Sequence, residues 1–541
     1  MKEVLVLGGY GGFGARVAIQ LARRGFAVTV AGRNLAKAQA FCSEHPDLPL
    51  RPLALDRSAA PGDGQYWLAV DAAGPFQGSD YRVAEGCIAA GCHYFDLADA
   101  RDFVRSIVRL DRAAKEAGVT VISGASSLPA LSAAVADRLA SGLDSVGAID
   151  VALSASNRAS GGVSTTRAIL SYVGSPIRLW RGGAWRNAFG WQEIAKVRFQ
   201  VPGRRPLRKR VAICDVPDLD ILPERYAGRP AVRFRAGTEI ELQNIVLWLL
   251  SWPVRWGWLG SLRGLTRPAV WMQRALGRIG GDRSAMQLVL KGRIGETAVQ
   301  RRWTVLAEQG HGPWIPALAV PLLADRLLAG LPTGARSAAG SLTLEEFEKA
   351  FLGLSIRTAD EETRIPPLYA RVMGPGFERL APAVRVLHEV NGDLAASGIA
   401  RVTRGGNPVA RAIGRIMGFP PAADEVPLSV WMCEEEGVET WRRDFGGACF
   451  ESRLSQDGDL LVERFGALRF AMELRPRPGG LSMHFRRWWV GPLRMPLFLA
   501  PRGIATEREV DGRFHFDVPI ALPLVGLLVH YRGWLTPAEA A

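Results

Sequence analysis

Apolar runs and helical spacings alternate through the first part of the chain. Residues 4–7 form a continuous apolar run, as expected for a parallel strand buried on both faces. Across 15–24 the apolar residues recur at helical spacing, and Gly25 predicts the end of that helix. Further strands are predicted at 26–30, 53–56, 68–76, 92–97 and 119–124. This alternation predicts an α/β fold, with a Rossmann-type parallel sheet over residues 1–145 and right-handed crossovers.

Beyond residue 145 the strand-like stretches are separated by irregular loops. We expect a mixed-sheet α+β substrate domain over 146–354, with a helical return within 315–330 that packs on the first domain. Its predicted strands include 148–155, 167–173 and 231–240.

The last third of the chain has its own pattern. A polar stretch, 355–367, predicts a linker, and 368–389 reads as helical. Apolar residues then alternate with period two at 468–474 and 514–520, which is typical of half-buried antiparallel strands. We expect a β-rich C-terminal domain over 368–541, built as a curved sheet or barrel. An enclosed apolar ligand and a filled core would both give this pattern.

Composition narrows the class of protein. The chain has 541 residues, 48% hydrophobic and 22% charged, which excludes intrinsic disorder and indicates several folded domains. Six cysteines without a CxxC pair exclude a disulfide scaffold or zinc ribbon, and seven scattered histidines give no metal-binding spacing. The formal net charge of +14 comes without a nucleic-acid-binding motif, so we expect a membrane surface or a small anionic ligand rather than nucleic acid.

The first residues lack the pattern of a cleavable signal peptide, and no 18-residue apolar run predicts a spanning helix. We therefore expect a cytoplasmic protein, with peripheral contact at the inner face of the membrane.

Between the first predicted strand and helix lies a glycine-rich loop. Gly9, Gly11 and Gly14 form a GxGxxG pattern in the strand–turn–helix context that a dinucleotide site requires. Glycines allow backbone N–H groups at the helix start to meet a pyrophosphate, and the helix dipole favours the negative charge. The alternative is a glycine-rich turn without a ligand.

The end of the second strand discriminates between NAD and NADP. Arg33 and Asn34 stand there, where an NAD site places an acidic residue on the ribose. A guanidinium suits a 2′-phosphate, so we expect NADP, a solvated arginine being the alternative. Asp56, at the end of the third strand, is expected near the adenine. The loop after the fourth strand, with Ala73, Gly74 and Pro75, is expected near the nicotinamide half.

These segments resemble a known family. GGYGGFG at 8–14, AGRN at 31–34, AAGPF at 72–76 and HYFDLAD at 93–99 are similar to the saccharopine dehydrogenase-like family of NADP-dependent oxidoreductases. The resemblance covers about 1–140 and continues more loosely to about 350. From about 365 onward the chain resembles a bacterial C-terminal domain of unknown function, DUF4166. The resemblance implies that Arg33 meets the 2′-phosphate, that Ala73, Gly74 and Pro75 border the nicotinamide ribose, and that the pyrophosphate is lined by Gly9, Gly11, Gly12, Phe13 and Gly14.

Two departures from the family pattern concern the substrate. Ala98 and Asp99 stand where the family has Gly-Glu, and a serine replaces the aspartate of its Gly-Phe-Asp-Ser-x-Pro segment within 124–129. Both changes argue against amino-acid substrates such as saccharopine.

Candidate proton-transfer groups are few. No lysine follows a tyrosine by four positions, which excludes short-chain dehydrogenase chemistry, and no Gly-x-Ser-x-Gly elbow is present. Tyr94 and Asp96 are the candidates for proton transfer, because they lie near the carboxyl end of a strand, where Rossmann ligands bind. In the alternative interpretation Asp96 caps the following segment and Tyr94 packs in the sheet.

An unusual insert spans 244–280. Five tryptophans and five arginines fall between 248 and 278, without an acidic residue. Tryptophan and arginine beside an apolar run are typical of a helix at a membrane interface. A hydrophobic homodimer contact or a lid over the substrate pocket would give the same composition.

Together these features predict an NADP-dependent oxidoreductase that transfers hydride to or from a hydrophobic, lipid-like substrate. The alternative is a non-catalytic protein in which the nucleotide is sensed and the C-terminal domain binds lipid or a partner.

Overall fold

A computed structural model describes residues 1–61, 65–157, 162–275 and 280–538. The last residues of the predicted insert, 276–279, lie outside this part of the chain.

The first 140 residues alternate strands and helices. The strands are β1 (Glu3–Leu7), β2 (Ala27–Gly32), β3 (Leu50–Ala54), β4 (Leu68–Asp71), β5 (His93–Asp96) and β6 (Thr120–Ser123). The helices are α1 (Gly14–Arg23), α2 (Leu35–Ser43), α3 (Arg82–Ala89), α4 (Arg101–Ser106), α5 (Asp111–Glu116) and α6 (Ser132–Ala140).

The middle of the chain mixes long strands with helices. Its strands are β7 (Ser145–Ala155), β8 (Pro176–Arg181), β9 (Ala184–Phe189), β10 (Ala195–Phe199), β11 (Leu207–Ile213), β12 (Ala231–Thr238), β13 (Ser284–Ile294), β14 (Thr297–Ala307), β15 (Gly334–Ser337) and β16 (Ile356–Arg364). Its helices are α7 (Gly162–Tyr172), α8 (Asp218–Arg225), α9 (Glu241–Arg255), α10 (Thr266–Ala275), α11 (Ala319–Leu328) and α12 (Leu344–Phe351).

The parallel sheet has the order β3-β2-β1-β4-β5-β6-β15. Strand β1 pairs in parallel with both β2 and β4, and its last four residues are fully or almost fully buried. This two-sided burial explains the uninterrupted apolar run. Strand order reverses between β1 and β4, where the carboxyl ends of the strands leave a crevice. The predicted Rossmann-type sheet is confirmed.

The second sheet has the order β10-β11-β12-β7-β13-β14-β16. Strands β12 and β7 are parallel, whereas the other neighbours are antiparallel, so the predicted mixed sheet is also confirmed. Two local expectations are wrong. The predicted strand at 167–173 belongs to helix α7, because packing overrides the strand preference of its β-branched residues.

The predicted linker at 355–367 is largely the edge strand β16. Its acidic side chains stand opposite the arginines of β14 in the antiparallel register. Arg301 lies 2.7 Å from Glu362, and Arg302 lies 2.9 Å from Glu361. Cross-strand charge pairs therefore support a strand that has few apolar residues.

The C-terminal part forms a closed barrel. It contains α13 (Leu368–Met373), α14 (Pro382–His388), β17 (Asp393–Arg404), α15 (Pro408–Ile416), β18 (Ala423–Glu435), β19 (Val438–Phe445), β20 (Ala448–Asp457), β21 (Leu460–Phe465), β22 (Leu468–Arg477), β23 (Gly480–Val490), β24 (Leu493–Met495), β25 (Ala505–Val510), β26 (Arg513–Leu522) and β27 (Gly526–Pro537). Within residues 393–537, pairing of β22 with β23 closes a ring of ten strands, and β24 extends β23 outside it. The expected curved sheet or barrel is confirmed.

Helices α13 and α14 contribute to the core of this barrel. Tyr369, Val384 and Leu387 are buried in one apolar cluster with side chains of the barrel strands, including Met432 and Leu461. The filled-core alternative therefore describes this domain better than an enclosed ligand.

Candidate cofactor and substrate site

A large cavity begins at the crevice between β1 and β4 and continues under the second sheet. Its volume is about 1170 Å³, which exceeds that of most small-molecule sites. The glycine loop and the loop after β4 line one end, and residues of β7, β12 and α9 line the other. The fold thus brings the predicted dinucleotide loop and the predicted substrate domain to one continuous space.

The glycines of the loop divide into two roles. A Cβ on Gly9 would lie 2.8 Å from the Val6 carbonyl oxygen, and a Cβ on Gly14 would lie 2.2 Å from the Gly8 carbonyl oxygen. These two glycines permit close packing of strand, loop and helix. Gly11 and Gly12 line the cavity instead, and a Cβ on Gly12 would meet no atom within 4 Å.

Phe13 also lines the cavity, at the N-terminus of α1. In the part of the chain that the structure describes, the N–H groups of Gly12 and Phe13 donate to no acceptor. Free N–H groups at a helix start, beside glycines without side chains, fit a pyrophosphate. The loop geometry is therefore suited to the group that the sequence predicts.

Arg33 and Asp56 meet at the far end of the crevice. Both line the cavity, and Arg33 is exposed there. Hydrogen bonds from Ser58 lower the pKa of Asp56, with a smaller contribution from the charge of Arg33. Asn34, which the sequence predicts to bind the cofactor, instead caps α2: its side-chain oxygen accepts a hydrogen bond from Lys37 N at 3.0 Å.

The loop after β4 is anchored by a buried carboxylate. Ala73, Gly74 and Pro75 line the cavity. Asp71 accepts from the backbone N–H of Ala73 at 3.0 Å and from Arg57 Nε at 2.6 Å. Burial raises the pKa of Asp71, and the Arg57 guanidinium opposes that shift. The ion pair holds the loop in place, and the Arg57 guanidinium is already paired with a carboxylate.

Tyr94 and Asp96 do not reach the cavity. Their exposed fractions are both 0%, and Tyr94 packs in a buried cluster with Leu5 and Cys87. Asp96 Oδ1 accepts from Ala98 N, Gly124 N and Ser123 Oγ at 2.8 to 3.0 Å. Burial raises the pKa of Asp96 to about 7. The geometry favours the packing and capping alternative and gives no support to proton transfer by these two side chains.

A different set of titratable groups faces the junction of the two halves. Asp99, Tyr172, Cys214 and Asp215 all line the cavity. The Tyr172 hydroxyl lies beside the Cys214 thiol, which itself donates to the Ala212 carbonyl oxygen at 3.4 Å, and burial raises the pKa of Tyr172 well above its ordinary value. Asp99 is open to the cavity, yet protein surrounds it on most sides, and this burial raises its pKa.

Sequence reasoning missed these residues as a group. In the sequence Asp99 is apparent only as a departure from the family motif, and the segment that contains Tyr172 predicts a strand. Asp99 and Asp215 lie 116 positions apart in the chain, so no local spacing could join them. The one available signal was the position of Asp99 directly after the β5 motif.

The substrate end of the cavity is mainly apolar. Its lining includes Leu153, Leu170, Trp191, Phe234, Leu247 and Leu250. Among the described residues, β7, β12 and α9 contribute no lysine or arginine to this lining. Arg101, close by, is already engaged by Asp220 at 2.8 Å and by Asp215 at 3.1 Å.

The Trp/Arg insert forms α9 and α10 over the cavity. Leu247 and Leu250 of α9 and Ala269 of α10 line its inside, as the lid alternative expects. Other side chains of the same helices point outward, among them Trp271, which is 73% exposed.

The described residues, 1–61, 65–157, 162–275 and 280–538, have neither a metal-binding cluster nor a helix suited to span a membrane. Within these residues, no group of three or more metal-ligating side chains is placed to hold a metal ion. None of the described helices combines the length and apolar character needed to span a bilayer.

Comparison with known proteins bears on two parts of the chain. Residues 4–122 match the family model of the saccharopine dehydrogenase NADP binding domain, and residues 380–535 match that of DUF4166, a domain of unknown function. Both resemblances noted in the sequence are confirmed. Residues 4–122 are therefore similar to a family of NADP-binding domains. No curated protein matches the chain.

Two solved structures are similar over two thirds of the chain. Apo saccharopine dehydrogenase (L-Glu forming) from Saccharomyces cerevisiae is 13% identical, with a TM-score of 0.47, and the match covers 67% of this chain and 100% of that one. GenD2 from gentamicin A biosynthesis, solved in complex with NAD, is 14% identical, with a TM-score of 0.31, and the match covers 66% of this chain and 96% of that one.

Proposed function

We propose that this protein is an NADP-dependent oxidoreductase that transfers hydride to or from a neutral, hydrophobic, lipid-like substrate. One observation carries the proposal: a single cavity joins the glycine loop to a wall of apolar side chains. A protein that only stored a nucleotide would have no use for a large apolar space beside it. The cofactor, when bound, supplies the hydride, and the protein supplies binding, orientation and exclusion of water.

The cofactor end offers three kinds of contact. The free N–H groups of Gly12 and Phe13 suit the pyrophosphate. The exposed guanidinium of Arg33 suits a 2′-phosphate, whereas the guanidinium of Arg57 is held by Asp71. These features support NADP over NAD.

The substrate end favours an uncharged molecule. An amino-acid substrate would need a cation for its carboxylate. Arg101 is held by Asp215 and Asp220, and Arg167 of α7, the one arginine that the described substrate half contributes to the lining, is exposed to solvent. The walls formed by β7, β12 and α9, to which the described residues contribute no lysine or arginine, suit hydrocarbon, since each buried methylene contributes about 0.8 kcal/mol. The departures at Ala98 and Asp99 agree with this preference.

Tyr172 is the proton donor that the geometry supports best. Its hydroxyl carries its proton at physiological pH, as an ordinary tyrosine does, and it lies at the junction of the two halves. The neighbouring Cys214 thiol donates its own hydrogen to the Ala212 carbonyl oxygen. Asp99 and Asp215 face the same junction and contribute to the raised pKa of the hydroxyl.

The first experiment is a fluorescence titration of the purified protein with NADPH and with NADH. We expect saturable, NADPH-selective binding, and we expect Arg33→Asp to weaken NADPH binding roughly tenfold to a hundredfold, because a charge-assisted hydrogen bond is lost. Arg112→Asp is the matched control, since Arg112 is exposed and lies on α5 outside the cavity lining. Absence of binding, or equal loss in both variants, would contradict the proposal.

The second experiment follows NADPH oxidation in the presence of fractionated lipid extracts. We expect one neutral lipid fraction to be reduced, with Tyr172→Phe lowering the rate while NADPH affinity stays unchanged. Tight binding of NADPH without turnover in any fraction would instead support a nucleotide-sensing protein.

A further inference from the structure

Large apolar side chains of α9, of α10 and of the segment that joins them are exposed to solvent. Trp258 is 74% exposed and Leu249 is 55% exposed. The rings of Trp252, Trp256 and Trp258 follow one another with centroid separations of 5.5 and 4.9 Å, so the aromatic surface is continuous. We propose that this surface, which we call the α9–α10 face, docks on a membrane that contains anionic phospholipids.

The charge of the face agrees with that partner. No acidic residue occurs between Glu241 and Asp282. Arg263 and Arg267 are exposed, and among the described residues no carboxylate lies within ion-pair distance of either guanidinium. Tryptophan seated at head-group level beside unpaired arginine is the chemistry that holds an amphipathic helix on an anionic lipid surface.

The face is continuous with the mouth of the cavity. Leu242 and Val246 of α9, Leu265, and Met272 of α10 each line the cavity and are also exposed to solvent. An apolar molecule leaving a bilayer at this face would pass from the rim into the apolar lining. This step rests on the proposed hydrophobic substrate, whereas the docking itself does not depend on it.

A second copy of the chain fits the face less well. In a symmetric dimer each surface patch meets its own copy, so the exposed arginines of one protomer would face those of the other. Residues 242–281 include no carboxylate that would neutralise them, and like charges across an interface are unfavourable. Anionic head groups supply the missing negative charge.

The test is co-sedimentation of the full-length protein with vesicles, without cofactor. Vesicles of phosphatidylcholine alone are compared with vesicles that also contain phosphatidylglycerol. We expect the protein to sediment with the anionic vesicles, and less so as salt is raised. Replacing both arginines (Arg263→Gln, Arg267→Gln) should lower binding to the anionic vesicles roughly tenfold or more.

Replacing two exposed tryptophans tests the contribution of apolar side chains to membrane binding. The double variant Trp258→Ser, Trp271→Ser should lose binding to both vesicle types. Phe498→Ser is the matched control, because Phe498 is also 74% exposed but belongs to the C-terminal part of the chain. Loss of binding in the control to the same extent would overturn the assignment of the face.

Two further results would also overturn the proposal. One is a wild-type protein that sediments with neither vesicle type. The other is a dimer that gel filtration detects and that the tryptophan variant abolishes, since a second copy would then cover the face. The NADPH titration in solution, without vesicles, tests the proposed function separately, so either proposal can fail alone.

Discussion

Gly12 and Gly14 stand two positions apart in one loop but should respond differently to a methyl group. A Cβ at Gly14 would overlap the Gly8 carbonyl oxygen, whereas one at Gly12 projects into the cavity. We expect Gly14→Ala to lower the free energy of unfolding by about 1–3 kcal/mol, as overpacking does. Gly12→Ala should fold normally and bind NADPH more weakly, because the methyl group stands where the phosphate approaches.

Thermal unfolding and NADPH titration of the two variants check this prediction, each variant serving as the control of the other. Unaltered NADPH affinity in Gly12→Ala would mean that the phosphates do not approach the loop at this residue.

Asp96 should make stability depend on pH. Burial raises its pKa to about 7 in the folded protein, above the ordinary value of 3.8. Between these values the folded state binds the proton and the unfolded state does not, so this residue makes stability fall as pH rises from about 4 to about 7. The difference amounts to about 4 kcal/mol.

Asp96→Asn keeps an oxygen for the three donors and removes the charge. We therefore expect its apparent Tm to fall less than that of wild type over the same pH range. Asp102→Asn, at an exposed position on α4, is the control and should leave the pH dependence unchanged. If the apparent Tm of Asp96→Asn fell with pH as steeply as that of wild type, the raised pKa of Asp96 would be contradicted.

At the level of elements, the parallel sheet could be predicted because burial on both faces leaves uninterrupted apolar runs such as residues 4–7. Strand β16 could not be predicted from the sequence, because its stability comes from arginines of β14 more than 50 positions away. Helix α7 was missed because its β-branched residues favour strands until packing decides otherwise. Tyr172 could not be predicted as a proton-transfer candidate for the same reason: only folding brings it close enough to Asp99 for the two groups to interact through their charges.

Helix α14 stabilises the barrel through its buried face. Leu387 is completely buried in the barrel core, whereas Val386, next to it, is 42% exposed and lies outside the buried cluster. We expect Leu387→Ala to cost about 2–5 kcal/mol, since it leaves a cavity. Val386→Ala on the same helix is the control and should change stability little. Calorimetry measures both, and NADPH affinity should be unchanged, because the barrel contributes no residue to the cavity lining in the described chain.

At the scale of the whole molecule, a buried ion pair joins the second sheet to the barrel. Lys291 Nζ on β13 lies 2.6 Å from Glu434 Oε2 on β18, and both side chains are buried. Glu434 also accepts from Gly437 N at 2.7 Å, which fixes the hairpin that docks on the sheet. Nearby, Arg233 and Arg235 of β12 contact Glu435. The barrel is thus held by the buried pair of Lys291 and Glu434 and by two buried arginines on the partly exposed Glu435.

Lys291→Met should therefore loosen the barrel from the rest of the molecule. Glu434 would remain buried without its cation, and breaking one partner of such a pair costs about 3–5 kcal/mol. We expect calorimetry to separate two unfolding transitions in this variant. Adding Glu434→Gln removes the stranded charge, so the double variant should recover most of the stability, because replacing both partners is often close to neutral. Arg112→Met, which breaks an exposed pair with Glu116, should have almost no effect. A double variant as unstable as Lys291→Met would mean that packing around the lysine stem, and not the uncompensated carboxylate, holds the two parts together.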